Sequence, residues 1–148
     1  MGQICVPLLL ILTLLVNASP AFAVSTKGGI AFPLSAQAPM PVALTGKLMT
    51  VQVKLWSATG GLGGGEHVQY EARIKNTSKA MAFYSIHVAV FDKQWNLIAA
   101  DGFTQIFGQE PGKTDVHGGN LYIPKSELGR IAAFQISFHD DVVNIGKR

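Results

Sequence analysis

Short runs in which apolar and polar residues alternate dominate the chain from about residue 47 onward. The clearest run is residues 84–92 (YSIHVAVFD), whose even-numbered members are apolar as far as Val90. Successive side chains of a β-strand point to opposite faces of the sheet, so Tyr84, Ile86 and Val88 would share one face. The run therefore predicts a strand with one buried face and one wet face.

The same alternation predicts six strands in all, at residues 47–56, 67–76, 84–92, 97–107, 116–123 and 130–139. Within the fourth run, Asp101-Gly102 predicts a bulge or a bend. The chain has no stretch with the period of a long amphipathic helix, which argues against a βαβ architecture. Short strands at this spacing indicate an all-β fold, an immunoglobulin-like antiparallel β-sandwich of about six to seven strands.

The first residues predict export. Residues 8–16 are an apolar core, shorter than the roughly 20 residues of a membrane span, and the A-x-A pattern at 21–23 follows. Together they predict a signal peptide over residues 1–23, cleaved before Val24; an uncleaved anchor is the alternative. Cleavage would also remove Cys5, the only cysteine. We therefore expect an exported bacterial protein, periplasmic or extracellular, without a disulfide.

The rest of the chain divides into three parts. Residues 24–46 contain three prolines and many small residues, which predicts an extended arm or linker. The apolar residues in this segment leave a second interpretation open, that it packs on its own domain or on a partner. Residues 47–140 form the predicted β-sandwich domain, and residues 141–148 form a C-terminal tail.

Three segments within residues 67–138 resemble the FxLYD-type domain, an immunoglobulin-like sandwich of exported bacterial proteins. Residues 74–78 (IKNTS) resemble that family's strand end and Asn-x-Ser turn, and residues 110–114 (EPGKT) resemble its Pro-Gly turn. Residues 88–92 (VAVFD) lie where the signature would fall, and Asp92 matches it letter for letter. The resemblance implies a sandwich fold, no catalytic activity and a role in binding or assembly.

Charge and motifs exclude several classes of function. The formal charge of +3 comes from scattered Lys and Arg rather than from a basic stripe, so we expect no nucleic-acid partner. The glycine-rich segment 59–65 lacks the G-x-G-x-x-G spacing and precedes a strand, which predicts a hairpin loop rather than a phosphate site. The sequence also lacks a G-x-S-x-G elbow and closely spaced histidine pairs. We therefore expect no enzyme, no cofactor, no catalytic residue and no metal ligand.

Outward-facing aromatic residues are the candidate binding groups. Phe83, His87 and Phe91 would share the outer face of the third predicted strand, where residues 24–46 either cover them or leave them to bind a partner. We expect a non-catalytic module that binds another envelope or secreted protein, through this face or through an open sheet edge. After cleavage of the signal peptide we expect no membrane span.

Two other functions stay open. Trp56 lies at a strand end and Trp95 in a turn. Aromatic faces supply apolar area with a defined geometry, so both indoles would stack on sugar rings in a carbohydrate-binding module. The third-ranked function is a periplasmic metal-binding protein, in which the sandwich would bring histidines together.

Overall fold

Two stretches of the chain carry the described structure. The computed structural model describes residues 23–60 and 66–143. Nearly all of the predicted signal peptide, most of the glycine-rich segment and the last five residues of the predicted tail lie outside the described residues.

The described residues form eight strands and one four-residue helix. Their bounds are β1 (Ala23–Gly29), β2 (Met40–Thr45), β3 (Met49–Thr59), β4 (Glu66–Asn76), β5 (Ala82–Phe91), β6 (Leu97–Gln109), β7 (Thr114–Tyr122), α1 (Lys125–Leu128) and β8 (Ala133–Val142). In this part of the chain, no helix has the length and apolarity needed to cross a membrane.

The strands form two antiparallel sheets of four strands each. The front sheet has the order β1-β8-β5-β6, and the back sheet has the order β2-β3-β4-β7. This confirms the predicted all-β antiparallel sandwich, although the described residues contain eight strands rather than six to seven. Strands β6 and β7 are the sheet edges on one side of the sandwich, and β1 and β2 are the edges on the other.

The core lies between the sheets and consists of the inward side chains of the central strands. Burying one large apolar side chain contributes roughly 1.5–3 kcal/mol, so the repeated alternation supplies the driving force for packing the sheets together. Buried apolar side chains recur at every second position of these strands: Met49, Val51, Val53 and Leu55 in β3, Val68, Tyr70, Ala72 and Ile74 in β4, Tyr84, Ile86, Val88 and Val90 in β5, and Phe134, Ile136 and Phe138 in β8.

The pairing of residues 24–46 agrees with the second interpretation of this segment, that it packs on its own domain. The two ends of this segment form β1, which pairs with β8, and β2, which pairs with β3. An extended segment has unpaired backbone N–H and C=O groups, and the edge of a sheet provides hydrogen-bond partners for them. The composition of a segment does not reveal whether such an edge is nearby. The segment thus adds one strand to each sheet instead of lying across the outer face of β5. Its apolar side chains pack against the core: Val24, Ile30, Phe32, Leu34, Met40 and Val42.

Two local predictions also differ from the structure. Strand β8 continues to Val142, so the first residues of the predicted tail belong to the front sheet. The predicted bulge at Asp101-Gly102 is wrong, because β5 and β6 pair regularly there and their register shifts lie elsewhere. A side chain at Gly102 would collide with the ring of His87. Glycine at this position therefore makes room for an imidazole on the sheet surface rather than bending the strand.

Candidate functional site

Phe83, His87 and Phe91 lie on the outer face of β5, in the interior of the front sheet. His87 is exposed, whereas both phenylalanines are half-buried. The ring of Phe83 is 6.2 Å from that of His139 on β8. Small outward residues stand between the three side chains on β5, so the middle of this face is flat.

The neighbouring strands continue the flat face with small or uncharged side chains. We define the front face as the outward residues of the front sheet, namely those of β5 and the residues of β6, β8 and β1 in the same rows. The outward residues of β6 are Leu97, Ala100, Gly102 and Thr104, and those of β8 are Ala133, Gln135, Ser137, His139 and Asp141. In β1, Lys27 pairs with Gln135. Lys27 and Asp141 are thus the charged residues of the front face, although solvated sheet faces are generally rich in polar and charged groups.

Trp95 lies against one end of the front face. It occupies the β5–β6 turn with a φ of 62°, a left-handed conformation that is uncommon outside glycine. Its ring centroid is 5.3 Å from that of Phe91, and the Lys27 Nζ lies 5.1 Å from the indole centroid. The indole is 45% exposed. A partly exposed aromatic residue held by a ring contact and a cation–π contact is a preformed contact group.

The carboxylate of Asp92 holds the turn that carries Trp95. It accepts the backbone N–H groups of Gln94 and Asn96, each at 2.9 Å, and pairs with Arg130 at 2.6 Å. Hydrogen bonds from Asn96 are the largest cause that lowers the pKa of Asp92 from 3.8 to about 2. The Asp that matches the FxLYD signature therefore has a structural function here, and it fixes the position of Trp95.

Trp56 lies on the other side of the sandwich, on the outer face of the back sheet. Its Nε1–H donates to Gln69 Oε1 at 2.9 Å. Trp95 lies against the front sheet, so the two tryptophans belong to opposite sides of the sandwich, which sequence position alone could not reveal.

Two depressions adjoin the indole of Trp56. One, of about 240 Å³, extends toward β7 and is also lined by Glu71, Gly118 and Asn120. The other, of about 490 Å³, lies between β3 and the segment that precedes β2, and is also lined by residues 33–37. Trp56 is thus the one side chain of β3 that borders both depressions.

Tyr122, which the sequence did not single out, is the most exposed tyrosine in the described residues at 72%. Its ring stacks on that of His67 with a centroid distance of 5.9 Å. Leu121 and Ile123 on either side of it are buried. The alternation of β7 would therefore have identified Tyr122 as an outward aromatic, and the pairing of β7 with β4 places it on the same sheet face as Trp56.

The four histidines are spread over the sandwich. His87 and His139 belong to the front face, and His67 lies on the back sheet. His117 points inward from β7 and stacks on Phe103 with the centroids 3.9 Å apart. In the residues that the structure describes, no three His, Cys, Asp or Glu side chains cluster in a way that could hold a metal ion.

Two tyrosine–aspartate pairs connect the central strands to the edge strands β6 and β7. Tyr70 donates its hydroxyl hydrogen to Asp101 at 3.1 Å, and Tyr84 donates to Asp115 at 3.2 Å. Burial raises the pKa of both phenols, and the nearby carboxylates raise it further. Each pair spans 31 positions of sequence, which explains why the pattern of single strands did not predict it.

Comparisons with known proteins leave the family open. No protein-family model matches the sequence, and no curated protein is similar to it. The enzymatically active domain of tailspike protein 4 from bacteriophage CBA120 is similar in structure, with a TM-score of 0.30 and 12% identity over 82% of this chain and 17% of that one. The arabinose-bound MgGH51 α-L-arabinofuranosidase gives a TM-score of 0.26 and 8% identity over 77% and 24% of the respective chains. The chain thus spans less than a quarter of either protein, and we draw no function from them.

Proposed function

We propose that this protein is a non-catalytic binding module, and that it binds another envelope or secreted protein on the front face. The observation that carries the proposal is the composition of this face. Half-buried Phe83 and Phe91 and partly exposed Trp95 flank a flat, weakly charged centre. Protein interfaces have the same character, because aromatic residues are enriched and charged residues are depleted at their cores.

The size of the front face supports a partner that also contacts an edge strand. Four strands about 4.8 Å apart and about ten residues long cover roughly 600 Å², somewhat less than the about 800 Å² that each partner buries in a standard interface. Strand β6 is one edge of this face and pairs on one side only. Its exposed apolar residues are Leu97, Ile106 and Phe107. A partner that covers the front face and adds a strand to β6 would reach the standard size.

Site-specific photo-cross-linking tests this proposal in cells that export the protein. A photo-reactive phenylalanine analogue replaces the exposed His87 on the front face, and in a matched variant it replaces the exposed Lys75 on the outer face of the back sheet. We expect one stoichiometric protein adduct from position 87 and none from position 75. Adducts from position 75 alone, or monomer from both positions, would contradict the proposal.

The captured partner then allows a quantitative test. Ala89 is half-buried in the row that also contains Gln135 and Lys27, so Ala89→Lys adds a second cation to this row. Burying an unpaired charge in an interface costs several kcal/mol, and we expect binding to weaken by at least about tenfold. Gln52→Lys, on the outer face of β3, should leave affinity unchanged. Equal affinities for the two variants in calorimetry would exclude the front face as the interface.

A further inference from the structure

The outer face of the back sheet brings aromatic and amide side chains together across three strands. Trp56 of β3 pairs with Gln69 of β4, which pairs with Asn120 of β7. In the adjacent row, His67 of β4 pairs with Tyr122 of β7. Trp56 and Tyr122 therefore lie two strands apart and in adjacent rows of the register. The amide side chains of Gln69 and Asn120 continue the row of Trp56 toward β7.

A chain of contacts holds these side chains in position. The Trp56 Nε1–H donates to Gln69 Oε1 at 2.9 Å, and Gln69 Nε2 lies 3.2 Å from His67 Nε2. The His67 ring is buried and stacks on Tyr122. Both aromatic rings are therefore oriented before any ligand arrives, which reduces the entropy lost on binding.

The floor beside the indole is open because β7 has glycine there. A Cβ at Gly118 would meet only the backbone oxygen of Tyr70, at 3.5 Å, which is an ordinary contact. The depressions of about 240 Å³ and 490 Å³ lie on either side of Trp56. Sites of roughly 300–1,000 Å³ hold drug-sized ligands, so together the depressions have room for a short chain of rings.

We infer that this surface, the Trp56 platform, binds a neutral oligosaccharide. A sugar ring presents an apolar C–H face and a rim of hydroxyls. The indole and phenol rings match the C–H face, and the Asn120 amide and Glu71 carboxylate on the smaller depression match the hydroxyls. Glu71, the one charged residue that lines the smaller depression, forms an ion pair with Arg73 at 3.5 Å, and this pairing favours a neutral ligand over an anion or a cation.

Single-tryptophan proteins test the inference, because the chain contains only two tryptophans. In Trp95→Phe, emission reports on Trp56 alone; in Trp56→Phe, it reports on Trp95. The probes are neutral hexasaccharides: β-1,4-glucose, β-1,4-xylose, β-1,4-N-acetylglucosamine, α-1,4-glucose and β-1,3-glucose. We expect at least one of them to change Trp56 emission saturably, with a Kd of about 1 mM or tighter. No change with any probe up to about ten times that concentration would overturn the inference.

Two substitutions locate the site by calorimetry with the hexasaccharide that binds. Trp56→Ala should weaken binding by at least tenfold, whereas Trp95→Ala should leave it unchanged. Gly118→Leu fills the smaller depression without a backbone clash, and it should weaken binding to a similar extent with an unchanged unfolding midpoint. Its control is Ala43→Leu, at an exposed outward position of β2.

Full affinity in both Trp56→Ala and Gly118→Leu would overturn the inference. These residues are separate from the front face, so this test and the cross-linking test fail independently.

Discussion

The carboxylate of Asp140 accepts the backbone N–H of Met49 at 2.7 Å and thereby joins the front sheet to the back sheet across 91 positions of sequence. The same carboxylate accepts the N–H groups of Lys47 and Leu48 at 3.0 Å and 2.7 Å. A Cβ at Gly46 would lie 2.5 Å from Asp140 Oδ2. The turn between β2 and β3 therefore depends on glycine, which lets a buried carboxylate approach three backbone donors.

Replacing Asp140 with Asn should destabilise the sandwich. The amide keeps the size of the side chain, but it places an N–H₂ group where an oxygen now faces backbone donors. Hydrogen bonds to charged groups contribute about 1.5–3 kcal/mol, and we expect Asp140→Asn to lower the free energy of unfolding by about that amount in urea denaturation.

Asp141→Asn is the matched control for this prediction. Asp141 is half-buried on the outer face, and its carboxylate accepts the N–H of the next residue, Val142, at 2.8 Å. We expect a loss below about 1 kcal/mol for this local contact. Equal losses in the two variants would show that Asp140 does not join the sheets as described.

Asn76 should be more sensitive to substitution than its place in an Asn-x-Ser sequon suggests. Its side chain is fully buried, and its Nδ2 donates to the carbonyls of Ala80 and Gln109, both at 2.8 Å. Asn76→Asp would direct a carboxylate at two carbonyl oxygens and remove the amide donor from both, although Ala80 would keep its hydrogen bond from the Ser78 hydroxyl. We expect a loss of at least about 2 kcal/mol in the free energy of unfolding.

The neighbouring Thr77→Ala provides the comparison for Asn76→Asp. The exposed Thr77 donates one hydroxyl hydrogen bond, to the carbonyl of Leu48 at 2.9 Å. We expect its removal to cost about 1 kcal/mol or less in the same denaturation assay. A smaller loss for Asn76→Asp than for Thr77→Ala would disprove the prediction.

Stability should fall in acid because of Asp92. Its pKa is about 2 in the folded chain, below its ordinary value of 3.8. A carboxylate of this kind stabilises the fold above its ordinary pKa, and the contribution disappears as pH falls toward the folded value. We therefore expect the free energy of unfolding to decrease between about pH 5 and pH 2, and Asp92→Asn to lack this part of the decrease.

The source of the lowered pKa of Asp92 can be tested by carboxyl NMR titration. Asn96 is its largest cause and Arg130 a smaller one. We therefore expect Asn96→Ala to raise the pKa of Asp92 more than Arg130→Gln does. The reverse order would mean that the ion pair, rather than the hydrogen bonds of the turn, holds the charge on Asp92.

Alkaline conditions should destabilise the protein through its buried tyrosines. Burial raises the pKa of Tyr70 and Tyr84 above the ordinary value of 10. A pKa that is higher in the folded chain gives a contribution that is complete below the unfolded value and is lost as pH rises above it. We expect the free energy of unfolding to drop above about pH 10, and to drop less in the Tyr70→Phe/Tyr84→Phe variant. A profile in the double variant identical to that of the wild type would refute this assignment.

The inward and outward positions of the central strands follow from the sequence alone. Side chains alternate along any strand, so the spacing of Tyr84, Ile86 and Val88 is sufficient to assign the buried face of β5. The same local rule placed Phe83 and His87 outward. The glycine at position 102 also stood out, but only the register of β6 against β5 shows that it accommodates His87.

Strand order, register and every contact between the sheets were decided by the tertiary structure. Composition left open whether residues 24–46 form a linker or pack on their own domain, because the free sheet edges that pair with this segment lie far away in sequence. The placement of Trp56 and Trp95 on opposite sheets depends on the same long-range pairing. So does the bond from Asp140 to Met49, since a buried carboxylate and its donors meet only after both sheets have formed. A period of two residues is a local property of the backbone, whereas the choice of neighbouring strand depends on the packing of the whole core.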